Sequence, residues 1–292
     1  MHEGLLKKVL HREKSLFTRD IDAKHHELID KISRTGVLVI GAAGTIGSAF
    51  VQELVYYRPK LLHLVDTSEN NLVELVRDLR SSDIIVPDCF KTFAIGLGTI
   101  EFEAFLKQHA SNYDYCVNFS ALKHVRSERD PYTLMRMVYT NTYSVNHLLI
   151  TLKKHPIKKF FSISSDKAVN PVSIMGATKC FMEKVMIQHS ETVPCSSSRF
   201  ANVAFSDGSL LFGFKKRIEK LQPLSAPSDV KRYFISSKEA GQLCLLSCFI
   251  GNNRDNYFPK LNKELDMHTF SEIAEIFLAS EGKSAIILPS EE

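Results

Sequence analysis

Apolar positions follow two different periods along the first two thirds of the chain. Val37–Ile40 is a short β-branched run that is ended by glycines, a pattern typical of a buried strand. Ser48–Tyr57 repeats apolar residues at helical spacing, and Phe50, Leu54 and Tyr57 fall on one face. The two patterns then alternate down the chain, with strands predicted at 61–66, 114–121, 158–165 and 196–205, and helices at 70–80, 134–155 and 174–190.

This alternation predicts an α/β fold, namely a doubly wound parallel sheet with helices on both faces. Residues 35–204 would form that domain, and 236–254 would pack back on it. Residues 1–34 are polar and compatible with helix, so they are predicted to form an N-terminal helical arm. After about residue 205 the alternation stops. The stretches 205–235 and 255–292 are predicted to form a smaller C-terminal lobe that closes over the carboxyl edge of the sheet and binds the substrate.

Composition argues against several classes of protein. The 292 residues are 44% hydrophobic and 24% charged, with a net charge of +4, which is ordinary for a soluble globular protein. The basic residues are spread out, so we expect no nucleic-acid partner. No apolar run approaches the roughly 20 residues that span a bilayer, and the charged N-terminus does not resemble a signal peptide. The six cysteines form no CxxC pair and show no zinc-like spacing with histidines, so we expect no metal and a reducing, cytoplasmic location.

A glycine-rich turn, "VIGAAGTIG", joins the first predicted strand to the first predicted helix. Glycines permit a tight turn and let the backbone approach a phosphate closely. The helix N-terminus behind the turn offers free N–H groups and a positive dipole end to a pyrophosphate. We therefore expect a dinucleotide to contact Gly41, Gly44, Thr45, Ile46 and Gly47.

The acid at the end of the next strand indicates which dinucleotide binds. Asp66 stands about 20 residues beyond the turn, and its carboxylate can accept hydrogen bonds from both hydroxyls of the adenosine ribose. It would repel a 2′-phosphate, and "DTSENN" (66–71) contains no Arg or Lys to offset that repulsion. The sequence therefore predicts NAD rather than NADP.

Five further strings carry a resemblance to a known family: "GAAGTIG", "FSALKHV" (119–125), "NTYSVN" (141–146), "SSDKAVNPVSIMGATK" (164–179) and "RFANVAFSDGS" (199–209). Together they resemble the extended short-chain dehydrogenases/reductases with a Rossmann-like fold. More narrowly, they resemble the UDP-N-acetylglucosamine 4,6-dehydratases of the polysaccharide-biosynthesis branch. The resemblance extends from about residue 10 to residue 280. It implies a lyase that recycles NAD while it converts a UDP-N-acetyl-hexosamine, with UDP-N-acetylglucosamine expected, into a 4-keto-6-deoxy sugar nucleotide for surface polysaccharide or glycan synthesis.

Such an elimination needs one acid and one base side by side near the nicotinamide. Asp166 and Lys167 are adjacent and follow the end of a predicted strand, and the resemblance implies that Asp166 is the acid and Lys167 the base. Both roles need pKa values moved toward neutrality, which we expect from desolvation. Ser165 matches a serine or threonine at the sugar's 4-hydroxyl, and Lys179 matches the lysine that binds the nicotinamide ribose. Met175 stands where most relatives keep a proton-carrying tyrosine, although some members of the branch also have methionine there. We expect it to act only by packing.

The resemblance assigns further contacts to both ligands. It places Ser120, Ala121, Lys123 and Asn141 at the cofactor, and Lys123, Asn202, Ser209 and Arg232 at the substrate. The sequence also departs from the family: Leu97 stands where an Asp near the adenine is usual, Cys180 replaces an Arg, and the Arg-Pro-Gly-Glu-Lys segment that helps to hold UDP is not found.

Two alternatives to a dehydratase stay open at this point. One is a 4-epimerase or 4-ketoreductase on the same fold, which would not need the Asp166–Lys167 pair. The other is a catalytically silent NAD-binding scaffold or sensor, which Met175 and the missing segment favour. The route of the 4-hydroxyl proton is open among Lys179, Ser165 through water, and Asp166. A homo-oligomer is expected from the fold alone.

Overall fold

The computed structural model describes residues 3–82, 85–200, 202–229, 231–260, 267–282 and 286–290. The helices are α1 (Glu3–Leu10), α2 (Thr18–Ile32), α3 (Thr45–Val55), α4 (Glu69–Arg80), α5 (Ile100–His109), α6 (Pro131–Val138), α7 (Ser144–Leu152), α8 (Ile174–His189), α9 (Leu210–Glu219), α10 (Ser237–Phe249) and α11 (Phe270–Glu281). The strands are β1 (Gly36–Ile40), β2 (Leu61–Val65), β3 (Cys89–Phe93), β4 (Tyr115–Asn118), β5 (Lys159–Ile163), β6 (Cys195–Ser198), β7 (Asn202–Val203), β8 (Leu224–Pro227), β9 (Lys231–Arg232), β10 (Phe234–Ile235), β11 (Asn256–Tyr257), β12 (His268–Thr269) and β13 (Ile287–Ser290).

Seven strands form the central sheet in the order β11-β6-β5-β4-β1-β2-β3, and every neighbouring pair is parallel. The predicted α/β class with a parallel sheet is therefore confirmed. The chain order reverses between β1 and β4, because β2 and β3 lie on one side of β1 and the later strands lie on the other. Such a reversal opens a crevice at the carboxyl ends of the two strands, where ligands bind in folds of this kind.

Apolar side chains cover both faces of the sheet. One cluster joins β1 and β2 to α2, α3, α4 and α10, and the other joins the opposite face to α5, α7 and α8. β1 reads as a continuous apolar run after Gly36 because both of its faces are buried. Helix α10 lies against α3, and an added Cβ at Gly241 would meet the Ala49 backbone carbon at 2.7 Å.

Two predicted elements are interrupted in the structure. The strand predicted at 196–205 ends at Ser198, and β7 pairs with β10 in a separate two-stranded sheet because the chain leaves the central sheet there. The helix predicted at 134–155 is α6 followed by a π-helical segment, Tyr139–Tyr143, and then α7. The structure also adds β3 and α5, which the sequence pattern did not single out.

The predicted N-terminal arm divides between two cores. Helix α2 packs Leu28 and Ile32 into the core of the sheet. Helix α1 instead packs Leu5 and Val9 into a third cluster with α9, α11 and β8, which is the core of the smaller lobe. Between them, Arg12 donates from Nε and Nη2 to the Glu239 carboxylate of α10 at 2.8 and 2.6 Å. The division into an arm, a sheet domain and a substrate-binding lobe stays a prediction.

No helix in the described part of the chain is long and apolar enough to cross a membrane.

Candidate active site

The glycine-rich turn lies at the crevice between β1 and β4. Gly41 follows β1 with a φ of +71°, in the left-handed region that favours glycine. A Cβ at this position would meet Ser120 N at 2.6 Å and Phe119 C at 2.8 Å, so the turn touches the chain that leaves β4. Backbone hydrogen bonds from Gly41 and Ala42 to the carbonyl of Val65 tie the same turn to β2. The turn is therefore fixed against both neighbouring strands.

Helix α3 begins directly behind this turn. Gly44 is its N-cap, in extended conformation, and Thr45 is its first residue. Gly47 is buried in the first turn of α3, where a Cβ would meet the Gly41 carbonyl oxygen at 2.1 Å. This close approach requires glycine, and it points the free N–H groups of the helix into the crevice.

Asp66 continues the site at the end of β2. Its Oδ2 accepts a hydrogen bond from Ala43 N and its Oδ1 accepts one from Ser68 N, both at 2.9 Å. The carboxylate is therefore held in place by the glycine-rich turn on one side and by the start of α4 on the other. It lines a cavity of about 180 Å³ together with Leu97 and Ser120.

A larger cavity of about 790 Å³ lies beside the first. The two share Gly41, Gly44, Phe119 and Ala121 as lining residues. The larger cavity extends from the glycine-rich turn to the smaller lobe. Predicted site residues that line it are Gly41, Gly44, Thr45, Ile46, Gly47, Ala121, Lys123, Ser165, Lys167, Met175, Lys179, Asn202 and Ser209.

The predicted acid–base pair lies in a short turn, Asp166–Ala168, directly after β5. The Ser165 hydroxyl donates to Asp166 Oδ1 at 2.9 Å, and the same oxygen accepts from Lys167 N at 2.9 Å. Lys167 Nζ lies 3.6 Å from Asp166 Oδ1. The desolvation that we expected is not provided by the described residues, because the two side chains are 48% and 46% exposed.

Helix α8 presents Met175 and Lys179 on one face, one turn apart. Met175 is buried, lines the larger cavity, and donates its backbone N–H to Glu128 Oε1 at 2.8 Å. Lys179 is 4% exposed and donates from Nζ to the Ile163 carbonyl at 2.9 Å. Burial lowers the pKa of Lys179 to about 8, against the opposing charge of Glu183.

Asn141 lies in the π-helical segment and is fully buried. Its side chain accepts from Leu122 N and donates to the Leu122 carbonyl, both at 2.9 Å, and it also donates to Thr178 Oγ1 at 3.0 Å. It is not among the described residues that line either cavity. Asn141 therefore holds the 120–123 segment against α8, and any effect on a cofactor would pass through that segment.

The remaining predicted residues are spread around the larger cavity. Lys123 is exposed on the cavity wall, where partial desolvation lowers its pKa and the charge of Asp207 opposes that effect. Ser209 is the N-cap of α9 and accepts from Phe212 N. Arg232 lies in β9, paired with β12, and is not among the described residues that line the cavity.

Sequence reasoning missed several residues that shape the site. Glu183, on α8, accepts hydrogen bonds from Ser164 and Arg199 next to the cavity. Asp207 donates its backbone N–H to Thr45 Oγ1 at 2.9 Å and so joins the smaller lobe to the start of α3. The spacing of Met175, Lys179 and Glu183 by four residues was the signal that could have revealed Glu183, whereas nothing local marked Asp207.

A family model described as "Polysaccharide biosynthesis protein" matches residues 37–286. The chain belongs to this family. The match confirms the predicted resemblance to the polysaccharide-biosynthesis branch of the extended short-chain dehydrogenases/reductases.

Several known proteins are similar in sequence. The uncharacterized membrane protein MJ1061 of Methanocaldococcus jannaschii is 32% identical over 77% of this chain and 66% of its own length. The probable polysaccharide biosynthesis protein EpsC of Bacillus subtilis is 28% identical over 78% of this chain, but only 38% of its own length. A UDP-N-acetylglucosamine 4,6-dehydratase (inverting) of Campylobacter jejuni is 24% identical over 77% of this chain and 66% of its own. The chain thus spans about two thirds or less of the length of these relatives.

Solved structures of other enzymes share the fold. WbmF of Bordetella bronchiseptica, solved with NAD+ and UDP, has a TM-score of 0.69 at 18% identity and covers 89% of this chain and 82% of its own. DesIV of Streptomyces venezuelae, a dTDP-glucose 4,6-dehydratase solved with NAD and TYD, has a TM-score of 0.72 at 18% identity and covers 88% of this chain and 84% of its own. Both confirm the predicted Rossmann-like architecture.

Proposed function

We propose that this protein is an NAD-dependent nucleotide-sugar 4,6-dehydratase that acts on a UDP-N-acetyl-hexosamine. The observation that carries the proposal is the adjacent Asp166 and Lys167, in one turn after β5, with Lys167 on the wall of the cavity that begins at the glycine-rich turn. An elimination needs an acid and a base at neighbouring positions, whereas a 4-epimerase or 4-ketoreductase does not. The named dehydratase among the relatives supports the same reaction.

The residues at the crevice fit NAD. Gly41 in its left-handed conformation, the close Gly41–Gly47 contact and the N-terminus of α3 form a cradle, and a Cβ at either glycine would distort it by clashing with the backbone. Asp66 is oriented at the far side for the adenosine ribose, and Lys179 lies on the opposite wall for the nicotinamide ribose. When bound, NAD supplies the hydride acceptor for carbon 4 of the sugar and returns the hydride to carbon 6. The structures of relatives with bound NAD support this cofactor.

Ser165 and Asp166 offer a path for the proton of the 4-hydroxyl, which Met175 is unable to accept. The Ser165 hydroxyl already donates to Asp166 Oδ1 at 2.9 Å, so a proton taken up by Ser165 can pass directly to the carboxylate. Asp166 would then be protonated, and in that form it can act as the acid for the departing 6-hydroxyl. The proton that leaves the 4-hydroxyl would thus be the one that Asp166 gives to the departing 6-hydroxyl.

Lys167 is the base for the proton at carbon 5 in this proposal. It must be neutral to accept that proton, yet its side chain is half exposed in the protein alone. Substrate that covers the turn would remove water from the ammonium and favour the neutral amine. The base would therefore become competent only when the sugar is in place.

The larger cavity is suited to the nucleotide part of the substrate. Lys123 and Arg126 bring two positive charges to its wall, and Asn202 of β7 and Ser209 at the start of α9 add polar groups. Arg232 remains a proposed phosphate ligand in β9. We also propose a homo-oligomer, for which the exposed Tyr132, Met135, Tyr139, Tyr143 and Phe181 of α6 to α8 offer an apolar surface.

Incubation with UDP-N-acetylglucosamine and NAD, followed by proton NMR, tests the proposed reaction. We expect a new doublet from a 6-methyl group, solvent deuterium at carbon 5, and loss of two or more orders of magnitude in turnover for Asp166→Asn and for Lys167→Ala. A 4-epimer or a reduced 4-hydroxyl product without the methyl doublet would assign the alternative enzyme. No conversion by an NAD-bound protein, with this sugar or other UDP-N-acetyl-hexosamines, would favour the silent scaffold.

A further inference from the structure

Glu183 is a buried carboxylate beside the candidate active site to which the proposed reaction gives no role. It lies on α8 one turn after Lys179 and two turns after Met175, so the three side chains share a face. Its Oε1 accepts hydrogen bonds from the Ser164 hydroxyl and from Arg199 Nε, the latter at 2.8 Å, and its Oε2 accepts from Arg199 Nη2. The side-chain amide of Asn256 lies 3.3 Å from Oε1 as well. The carboxylate is thus held chiefly by Ser164 and Arg199, which belong to other elements.

These two groups mark the ends of neighbouring strands. Ser164 follows β5 directly and stands two residues before the Asp166–Ala168 turn. Arg199 follows β6 directly. The backbone of Ser164 also donates to the Ser198 carbonyl at 2.8 Å. Ser165, the next residue in the chain, caps the Asp166–Ala168 turn. Glu183 therefore holds the backbone in place directly before this turn.

Glu183 also acts on the charge of Lys179. The ammonium of Lys179 is buried, which favours the neutral amine, and the Glu183 carboxylate is the charge that opposes this effect. Other charged groups packed against this part of α8 are Arg199, which pairs with Glu183, Asp166 and Lys167 in the turn after β5, and Glu128 at the helix N-terminus. Without the Glu183 carboxylate, Lys179 would lose the negative charge that opposes the effect of its burial.

We propose that Glu183 is a positioning residue. It keeps Lys179 charged at the cofactor ribose, and it holds Ser164 directly before the Asp166–Ala168 turn. This inference rests on the proposed function, because it takes NAD as the cofactor. Reduced cofactor carries negative phosphates and no charge on its nicotinamide ring, so an ammonium at the ribose strengthens its binding. Loss of that charge should therefore weaken NADH binding as pH rises.

Fluorescence titration with NADH between pH 6 and 9.5, with direct excitation of the reduced cofactor, tests the proposal. For the parent protein we expect affinity to fall as pH rises through about 8, the pKa of Lys179. In Glu183→Gln the same fall should occur about one pH unit lower, the usual effect of removing an opposite charge nearby. At pH 7.5 this variant should bind NADH several-fold more weakly than the parent.

The matched control is Glu239→Gln. Glu239 is also buried, at 1% exposure against 9% for Glu183, and it accepts a similar two-pronged hydrogen bond from Arg12, but it lies in α10. This variant should melt at a lower temperature than the parent while its pH midpoint for NADH stays unchanged. If Glu183→Gln does not fold, the double variant Glu183→Gln with Arg199→Met removes the pair without leaving a buried lone charge, and the midpoint is measured there.

The outcomes separate this inference from the function on which it rests. An unchanged midpoint in a folded Glu183 variant that binds NADH would overturn the role of Glu183 and leave the dehydratase proposal intact. A parent protein that binds neither NADH nor NAD at any pH would overturn both. A midpoint that moves in Glu239→Gln as well would show that any buried carboxylate has the same effect, and would also refute the role.

Discussion

Replacement of Gly47 by alanine should damage both the fold and the cofactor site, and the structure allows the effect to be estimated. The new Cβ would lie 2.1 Å from the Gly41 carbonyl oxygen, which is about 1.3 Å short of an ordinary contact of about 3.4 Å. Helix α3 has no room to retreat by that distance, because Gly241 of α10 already approaches the Ala49 backbone on its other side. The clash must therefore be absorbed by the turn itself.

Overpacking of this kind costs about 1–3 kcal/mol. For a chain of this size, each kcal/mol lowers Tm by roughly 2–4 °C, so Gly47→Ala should melt several degrees below the parent. The free N–H groups of α3 would also move away from the phosphates, and NAD affinity should fall about tenfold or more, which is about 1.4 kcal/mol of binding free energy. Thermal unfolding without cofactor and calorimetric titration with NAD measure the two effects separately.

Gly44→Ala is the matched control for stability. Gly44 has a φ of −72°, and a Cβ there meets only the Gly41 oxygen at 3.7 Å, an ordinary contact. We expect its Tm to stay within about 1 °C of the parent, since no overpacking arises. A Gly47→Ala protein that keeps the parental Tm and NAD affinity would refute the claim that the Gly41–Gly47 approach shapes the site.

Two further predictions concern side chains on opposite walls of the site. Asp66→Ala should weaken NAD binding and reduce the preference for NAD over NADP. Titration with each cofactor measures both effects. Tighter binding of NADP than of NAD by the parent protein would contradict the proposed role of Asp66. Met175→Leu should keep turnover within about tenfold of the parent, a change of about 1.4 kcal/mol in the barrier, because a packing role tolerates a side chain of similar volume. Lys179→Ala should be far more harmful; an inactive but folded and NAD-bound Met175→Leu enzyme would mean that the sulfur has a role of its own.

The sequence predicted the sheet and the glycine-rich turn well because their signals are local. β1 (GVLVI) and β2 (LLHLV) consist mostly of apolar residues, and Gly41, Gly44 and Gly47 stand at fixed spacing behind the first of them. β3 was not predicted because it lies at the edge of the sheet, where three of its five residues are exposed and leave no apolar run. Periodicity alone does not separate such an edge strand from a loop.

The parts of the candidate site that sequence did not predict depend on contacts between distant residues. The π-helical segment that places Asn141 against Leu122 has no signature in an amphipathic run. The exposure of Asp166 and Lys167 depends on which residues pack over their turn. A short sequence motif carries no information about those distant residues. The bond from Asp207 to Thr45 joins residues of different lobes, so only the folded chain brings them together.

The placement of α1 has a consequence for how the protein is made. Neighbouring strands such as β1 and β2 meet soon after both have left the ribosome, whereas α1 can pack against its partner α11, which carries Phe277 of the same cluster, only when α11 has been synthesised. That partner follows about 270 residues later, a delay of tens of seconds at about 5–20 residues per second. Throughout this time the apolar face of α1 has no permanent cover. The smaller lobe should therefore be the last part to fold, and the exposed first helix is the segment most open to chaperones or to aggregation during synthesis.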